Sequence, residues 1–299
     1  MGRILYTDEI GFDMEDWKSR DFLRVAAGSG CVMALDSDGV VRIKSRAEEQ
    51  RREEFSFWKR LLTKPSHLRV GRWENVRDLA VSGESGVAAG LLENGTCVLE
   101  RLENCPLGGR EFRNVSRQVS SWNNLVDLAV SDAVFGLDSF GRVSCVPLMP
   151  LLASYQEVQE WRNIVRMIPG ERDLLFGITS DGRIVAAGAL SQELKRAIEP
   201  IRDAVDLAFA GERVLVAYKD NTVRDLHSGK VEPCLCLPGM EIAKSGPGQA
   251  LICDGNGILH WYRADSAAAC KVFGDRRVRS FAAGMTDGRR YVCAVAADQ

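Results

Sequence analysis

The residue types that could do chemistry in this 299-residue sequence are few and scattered. Its three histidines, His67, His227 and His260, stand far apart. No HExxH or HxH spacing puts two imidazoles on one metal ion. His260 sits between Leu259 and Trp261 on an apolar strand and reads as a structural or exposed residue. The tightest cysteine pair is Cys234-Leu-Cys236. A zinc site repeats such a pair, and here Cys253 and Cys270 stand alone. The pair reads as small apolar fillers beside Pro233 and Pro238. Gly28-Ser-Gly30 and Gly246-Pro-Gly248 are loop signals rather than phosphate cradles between a strand and a helix, and there is no Gly-x-Ser-x-Gly elbow. Asp36, Asp138 and Asp254 recur three residues before a turn glycine. Such carboxylates could line one face, but that position suits an acceptor for turn amides. The expectation is a non-enzyme with no catalytic residue, no metal and no cofactor.

Composition narrows the partners. The formal net charge is −2, whereas nucleic-acid binders carry a basic surplus. Nucleic acid is therefore not an expected partner. No run of about 18 apolar residues suggests a membrane span. The start, Met1 to Ile10, lacks the apolar stretch of a signal peptide. Nine cysteines, an odd number lying mostly in apolar runs, read as reduced buried thiols in a cytoplasmic protein.

The elements that must position any site come from a repeat. A turn dipeptide recurs as Asp38-Gly39, Asn94-Gly95, Phe140-Gly141, Asp181-Gly182, Asp220-Asn221 and Asn256-Gly257. Glycine accepts positive φ without a Cβ clash, and Asn is the next best choice. Two residues after the anchor stand Val41, Cys97, Val143, Ile184, Val223 and Leu259. Four after stand Ile43, Leu99, Cys145, Ala186, Asp225 and Trp261. Apolar or small residues also occupy the fourth and sixth places before it. This period of two marks a hairpin with one buried face. Upstream lies a further strand, clearest as Trp73-Glu-Asn-Val, Trp122-Asn-Asn-Leu and Trp161-Arg-Asn-Ile. A fourth copy, Ile201-Arg-Asp-Ala, lacks the tryptophan. The recurring tryptophans could offer a stacking surface, but their register with the buried pattern points to packing between repeats.

Seven upstream strands meet only six complete hairpins. The last repeat ends Tyr291-Val-Cys-Ala-Val, and Gly2-Arg-Ile-Leu-Tyr6 matches the arm after a turn. The reading is an all-β, seven-bladed β-propeller over residues 1–299, with the N-terminal strand completing the final blade. Cys293 and Val295 then fit the two buried places before the turn, and Ile4 and Tyr6 the two after it.

The Trp-x-Asn, Asp-Leu-Ala and Asp-Gly-Arg segments together resemble the regulator of chromosome condensation repeat, over nearly the whole chain. The resemblance implies a seven-bladed propeller that binds proteins through loops on one face. The family includes an exchange factor for a small GTPase and bacterial members that clamp onto an enzyme such as β-lactamase. This sequence lacks the Gly-x-Asn-x-x-Gly-Gln-Leu-Gly stretch of eukaryotic members, and its short copies are similar to those of bacterial ones.

One stretch departs from the repeat. The 45–71 insertion opens with Ser45 to Leu62, rich in helix formers, and Phe55, Trp58, Leu61 and Leu62 share one helical face. It reads either as a helix docked on the rim or as an amphipathic element offered to a partner. Phe55, Phe57, Trp58 and Arg60 are the candidate partner-binding residues. Leu102–Ser121 and Leu190–Pro200 are further candidate loops. The function expected is a non-catalytic protein-interaction module using one face. The alternatives are an enzyme or small-ligand binder with Asp, Glu, His or Arg converging in the central channel, and a guanine-nucleotide exchange factor.

Overall fold

The computed structural model describes residues 2–7, 10, 13–28, 30–45, 68–69, 73–82, 85–102, 105–148, 153–170, 173–210, 213–232, 241–243, 249–263, 268–286 and 289–297. Strand β1 (Gly2–Tyr6) precedes blade 1, made of β2 (Asp21–Gly28), β3 (Cys31–Asp36), β4 (Val41–Ser45) and the short β5 (Leu68–Arg69). Blade 2 holds β6 (Val76–Ser82), β7 (Val87–Leu92) and β8 (Cys97–Arg101). Helix α1 (Gly109–Val119) leads to blade 3, with β9 (Leu125–Val130), β10 (Ala133–Asp138) and β11 (Val143–Pro147). A 3₁₀ segment (Ala153–Glu160) leads to blade 4, with β12 (Ile164–Pro169), β13 (Leu174–Thr179) and β14 (Ile184–Gly188). Helix α2 (Gln192–Ile198) leads to blade 5, with β15 (Ala204–Ala210), β16 (Arg213–Tyr218) and β17 (Val223–Asp225). Blade 6 holds β18 (Glu241–Ala243), β19 (Gln249–Cys253), β20 (Leu259–Arg263) and β21 (Ala268–Lys271). Blade 7 holds β22 (Val278–Thr286) and β23 (Arg289–Ala296).

Each blade is an antiparallel meander, and the first strands of successive blades lie side by side around the axis. Blade 7 is completed by β1, where Ile4 faces Val295 and Tyr6 faces Cys293. These are the partners that the repeat register assigns. The next contact closes the ring, because Gly2 and Arg3 pair with Phe22 and Asp21 of blade 1. Tyr291 adds to this seam: its hydroxyl lies 2.8 Å from the carbonyls of both Gly28 and Cys31.

Two local rules explain the Trp-x-Asn motif. Asn75, Asn124, Asn163 and Asp203 all adopt positive φ, between 54° and 60°. This left-handed turn presents the next amide to the preceding blade. Leu125 N donates to Gly95 O (2.8 Å), Ile164 N to Gly141 O (3.0 Å) and Ala204 N to Gly182 O (3.0 Å). Short Asn and Asp side chains tolerate that backbone. The tryptophan lies over a glycine of the middle strand of its own blade. A Cβ on Gly90 would come within 2.6 Å of Trp73, and one on Gly136 or Gly177 within 2.9 Å of Trp122 or Trp161. Trp73 and Trp161 also pack against the side chains of the preceding blade. In blade 5 the exchange is reciprocal: Ile201 replaces the tryptophan, and Val216 takes the glycine's place.

Where loops were expected, two helices stand in the connections. Val115 and Val119 anchor α1. Leu194 and Ile198 anchor α2, whose first turn is capped by Ser191 accepting from Leu194 N at 3.1 Å. One buried pair at i, i+4 per short, charged helix is too weak a periodic signal to read from sequence. The one polar residue at an apolar repeat position, Asp225, is buried with Glu232 around Arg213. Arg213 Nε donates to Asp225 at 2.8 Å and Nη1 to Tyr262 OH at 2.9 Å, while Nη2 pairs with Glu232. A charge this deep persists only when paired and hydrogen-bonded.

Candidate docking face

The hairpin turns and the entries to the first strands share one end of the ring, the turn face. The recurrent carboxylates belong to its scaffold. Asp36 Oδ1 accepts from the amides of Asp38 (3.1 Å) and Val40 (2.8 Å), and Oδ2 from Arg42 Nε (2.7 Å). Asp138 holds Phe140 N, Arg142 N and Arg142 Nε in the same way. Asp254 holds Asn256 N and Ile258 N, with His260 Nε2 at 3.1 Å in the place that Arg42 takes in blade 1. His260 is thus a turn brace. His227 is exposed, while His67, Cys234 and Cys236 lie outside the described residues.

One turn breaks the rule. Phe140 occupies a place held elsewhere by Asp or Asn, and it is 65 % exposed. Its neighbour Gly141 sits against the backbone of Asn163 and Ile164, which brings Phe140 beside the entry to blade 4. The Arg142 guanidinium lies 5.2 Å from the ring centroid, a cation–π distance.

A second departure lies nearer the axis. Register shifts in the first strands of six of the seven blades set out one residue each: Leu23, Arg77, Val126, Val165, Val205 and Arg279. A β-bulge re-aims such a side chain out of the ladder. In blade 2, Arg77 reaches across to Leu125 O at 2.8 Å, and in blade 7 Arg279 reaches Phe22 O. The valines of blades 3–5 have no such reach and are 46 %, 59 % and 39 % exposed. With Phe140 they make up four of the five exposed large apolar residues among those described. They stand on the consecutive blades 3, 4 and 5.

Polar groups do converge in the channel, one residue beyond the bulge, but they link blades. Arg166 Nε pairs with Asp206 at 2.8 Å, and Ser280 Oγ accepts from Val25 N of the next blade at 3.1 Å. Asp127 accepts from Leu128 N at 2.7 Å. Burial pushes its carboxyl up, opposed by hydrogen bonds from the amides of Leu128 and Met167. On the opposite face, Asp132 receives the hydroxyls of Ser131 (2.7 Å) and Tyr155 (2.9 Å) and stands beside Asp173 of blade 4. A hydrogen bond to Asp132 raises Asp173 to about 6.

Cys31, Cys97, Cys105, Cys145, Cys270 and Cys293 form no disulfide. Burial pushes Cys31, Cys97 and Cys145 up to about 12, which leaves them as thiols rather than nucleophilic thiolates near neutral pH. Among the described residues no group of three or more His, Cys, Asp or Glu could hold a metal ion, and no helix is long and apolar enough to cross a membrane. Phe55, Phe57, Trp58 and Arg60 lie outside the described residues, as does most of the 45–71 insertion; Ser45 ends β4, and Leu68–Arg69 pairs with β4. The Phe140 sector was missed at the sequence level. Its signal was there: Phe140 is the single anchor without Asp or Asn.

These features define a seven-bladed β-propeller. Among solved structures, Prp20p from Saccharomyces cerevisiae matches with a TM-score of 0.60 at 12 % identity, over 100 % of this chain and 92 % of that one. Human WBSCR16 matches with a TM-score of 0.60 at 11 % identity, over 93 % and 87 %. The Cps50 (Swd1) propeller of Myceliophteria thermophila gives 0.52 at 11 %, over 94 % and 97 %. At these identities the likeness shows the fold. No family model matches the sequence, and no curated protein matches it.

Proposed function

We propose that the protein is a non-catalytic interaction module that holds another protein against the turn face of blades 3–5, with Phe140 as anchor. The exposure of Phe140 carries the reading. A phenylalanine at a turn gains nothing for the hairpin, yet an exposed aromatic beside arginine is what interface hot spots are made of. The rigid ring around it suits recognition at low ordering cost. Prp20p, which shares the fold, is described as binding Gsp1p and histones, and a structure shows Kap60 bound to it. All are proteins, which supports a protein partner here. The channel reading has less support, because Arg166 and Asp206 there pair with each other across blades 4 and 5. The buried cysteines outside any disulfide, Cys31, Cys97, Cys105 and Cys293, support a reducing compartment such as the cytoplasm.

The test is affinity purification of tagged wild-type and Phe140→Asp protein from the source cell. The variant restores the turn residue of the other repeats, so its melting temperature should match or exceed wild type. A partner retained by wild type and lost by the variant is the expected outcome. An identical set of partners would overturn the reading.

A further inference from the structure

We infer that the turns carrying Asp132 and Asp173 form a proton-operated clasp between blades 3 and 4, closed while the two carboxyls share a proton and parted once both are charged. The clasp lies on the face opposite to the hairpin turns and is independent of the docking reading. Asp132 stands between β9 and β10, and Asp173 between β12 and β13. The two are held differently. Asp132 accepts from the Tyr155 hydroxyl with both oxygens, at 2.9 and 3.0 Å, and from Ser131 Oγ at 2.7 Å. Its carbonyl accepts from Leu148 N at 2.9 Å. Tyr155 is itself buried, edge-on to Phe135 with ring centroids 5.0 Å apart. Asp173 is tied through its backbone and through Asp132. Its carbonyl accepts from Ala189 N at 3.0 Å, and a Cβ on Gly188 would lie 1.7 Å from that oxygen, so a glycine is what lets β14 approach. The residue takes a φ of 62°, a left-handed backbone that aspartate tolerates.

The titratable groups around the pair are Tyr155 and Cys145. Burial pushes Cys145 up to about 12, and burial together with Asp132 holds Tyr155 well above its ordinary value. Both keep their protons near neutral pH. Among the described residues no lysine or arginine pairs with either carboxyl. Asp132 therefore retains Tyr155 and Ser131 as donors at any pH, and Asp173 adds a third only while protonated. Once Asp173 ionises, two carboxylates face each other with no cation between them. The hydrogen bond to Asp132, with burial, raises Asp173 to about 6 from 3.8. A closed clasp thus holds the proton more tightly than an open one. Its hold is full below about pH 4 and is lost as pH rises through 6. Asp173, half-buried and tied by fewer groups, is the side that moves.

The experiment is amide hydrogen exchange on the full chain, resolved by NMR at pH 5 and pH 7 and corrected for the intrinsic pH dependence of exchange. The Ala189 amide reports the clasp, since its acceptor is the Asp173 carbonyl. The Ile164 amide, bonded to Gly141 O at the other end of blade 4, reports the rest of the blade. Protection at Ala189 should fall about tenfold from pH 5 to pH 7, the change in closure expected of one group titrating at about 6 instead of 3.8. Ile164 should keep its protection. Asp173→Asn, whose side chain donates at every pH, should keep Ala189 protected equally at both. Asp173→Ala, with no donor, should leave it equally open at both. Unchanged protection at Ala189 in the wild-type chain would overturn the clasp. So would a parallel fall at Ile164, which would mean that the whole blade loosens, or a tenfold fall that persists in Asp173→Asn.

Discussion

At the scale of single residues, most chemically suggestive side chains turn out to hold turns. Asp36, Asp138 and Asp254 organise hairpins, and His260 stands opposite Asp254 as Arg42 stands opposite Asp36. The Asp132–Asp173 contact is different, because two carboxyls can share a hydrogen bond only while one keeps its proton. Asp173 titrates at about 6 in the folded ring against 3.8 when free. The folded state therefore binds the proton longer, and this contact stabilises fully below about pH 4 and is lost as pH rises through 6. Asp173→Asn, which donates at every pH, should flatten the fall in denaturation midpoint between pH 4 and 6.5 and raise the midpoint at pH 7.5. An unchanged slope would place the titration elsewhere. The turn role of these aspartates could be read from their spacing. The carboxyl pair could not, because it joins two loops 41 residues apart that meet only when blades 3 and 4 stack.

At the scale of elements, the tryptophan strands show a volume exchange across each blade. Trp73 lies on Gly90, whereas Ile201 goes with Val216 in blade 5. Gly90→Val alone should destabilise by about 1–3 kcal/mol through overpacking. Trp73→Ile alone should cost a similar amount through a cavity. The double variant should recover much of both, and a double-mutant cycle by urea denaturation reads the coupling. Additive losses would mean that the two residues do not share one space. The strands were legible because apolar alternation and turn glycines recur in register. The glycines five residues before the anchor, Gly90, Gly136 and Gly177, occur only in the tryptophan repeats, so this pairing was written in the sequence as well. The two helices were not, since each contributes only two fully buried side chains. The bulge that turns Val126, Val165 and Val205 outward was also hidden, because it is a property of strand register rather than of composition.

At the scale of the whole molecule, the ring depends on five residues from one terminus joining the sheet formed at the other. Gly2 stands where other blades carry the turn glycine, and a Cβ there would lie 1.7 Å from the Ala296 carbonyl oxygen. Gly2→Val, or removal of residues 1–7, should lower the melting temperature of the whole ring. Loss of buried Ile4 alone is worth about 1.5–3 kcal/mol. An unchanged melting temperature would refute closure by β1. Closure matters to the proposed function because it fixes in one arc the three blades that carry Phe140 and the three valines. The central claim is that a protein partner sits on that surface, and site-specific photocrosslinking in the source cell tests it most directly. A photoreactive phenylalanine in place of Phe140 should give a discrete protein adduct, whereas the same residue in place of exposed Pro147, at the opposite end of blade 3, should not. Adducts from Pro147 and none from Phe140 would contradict the account.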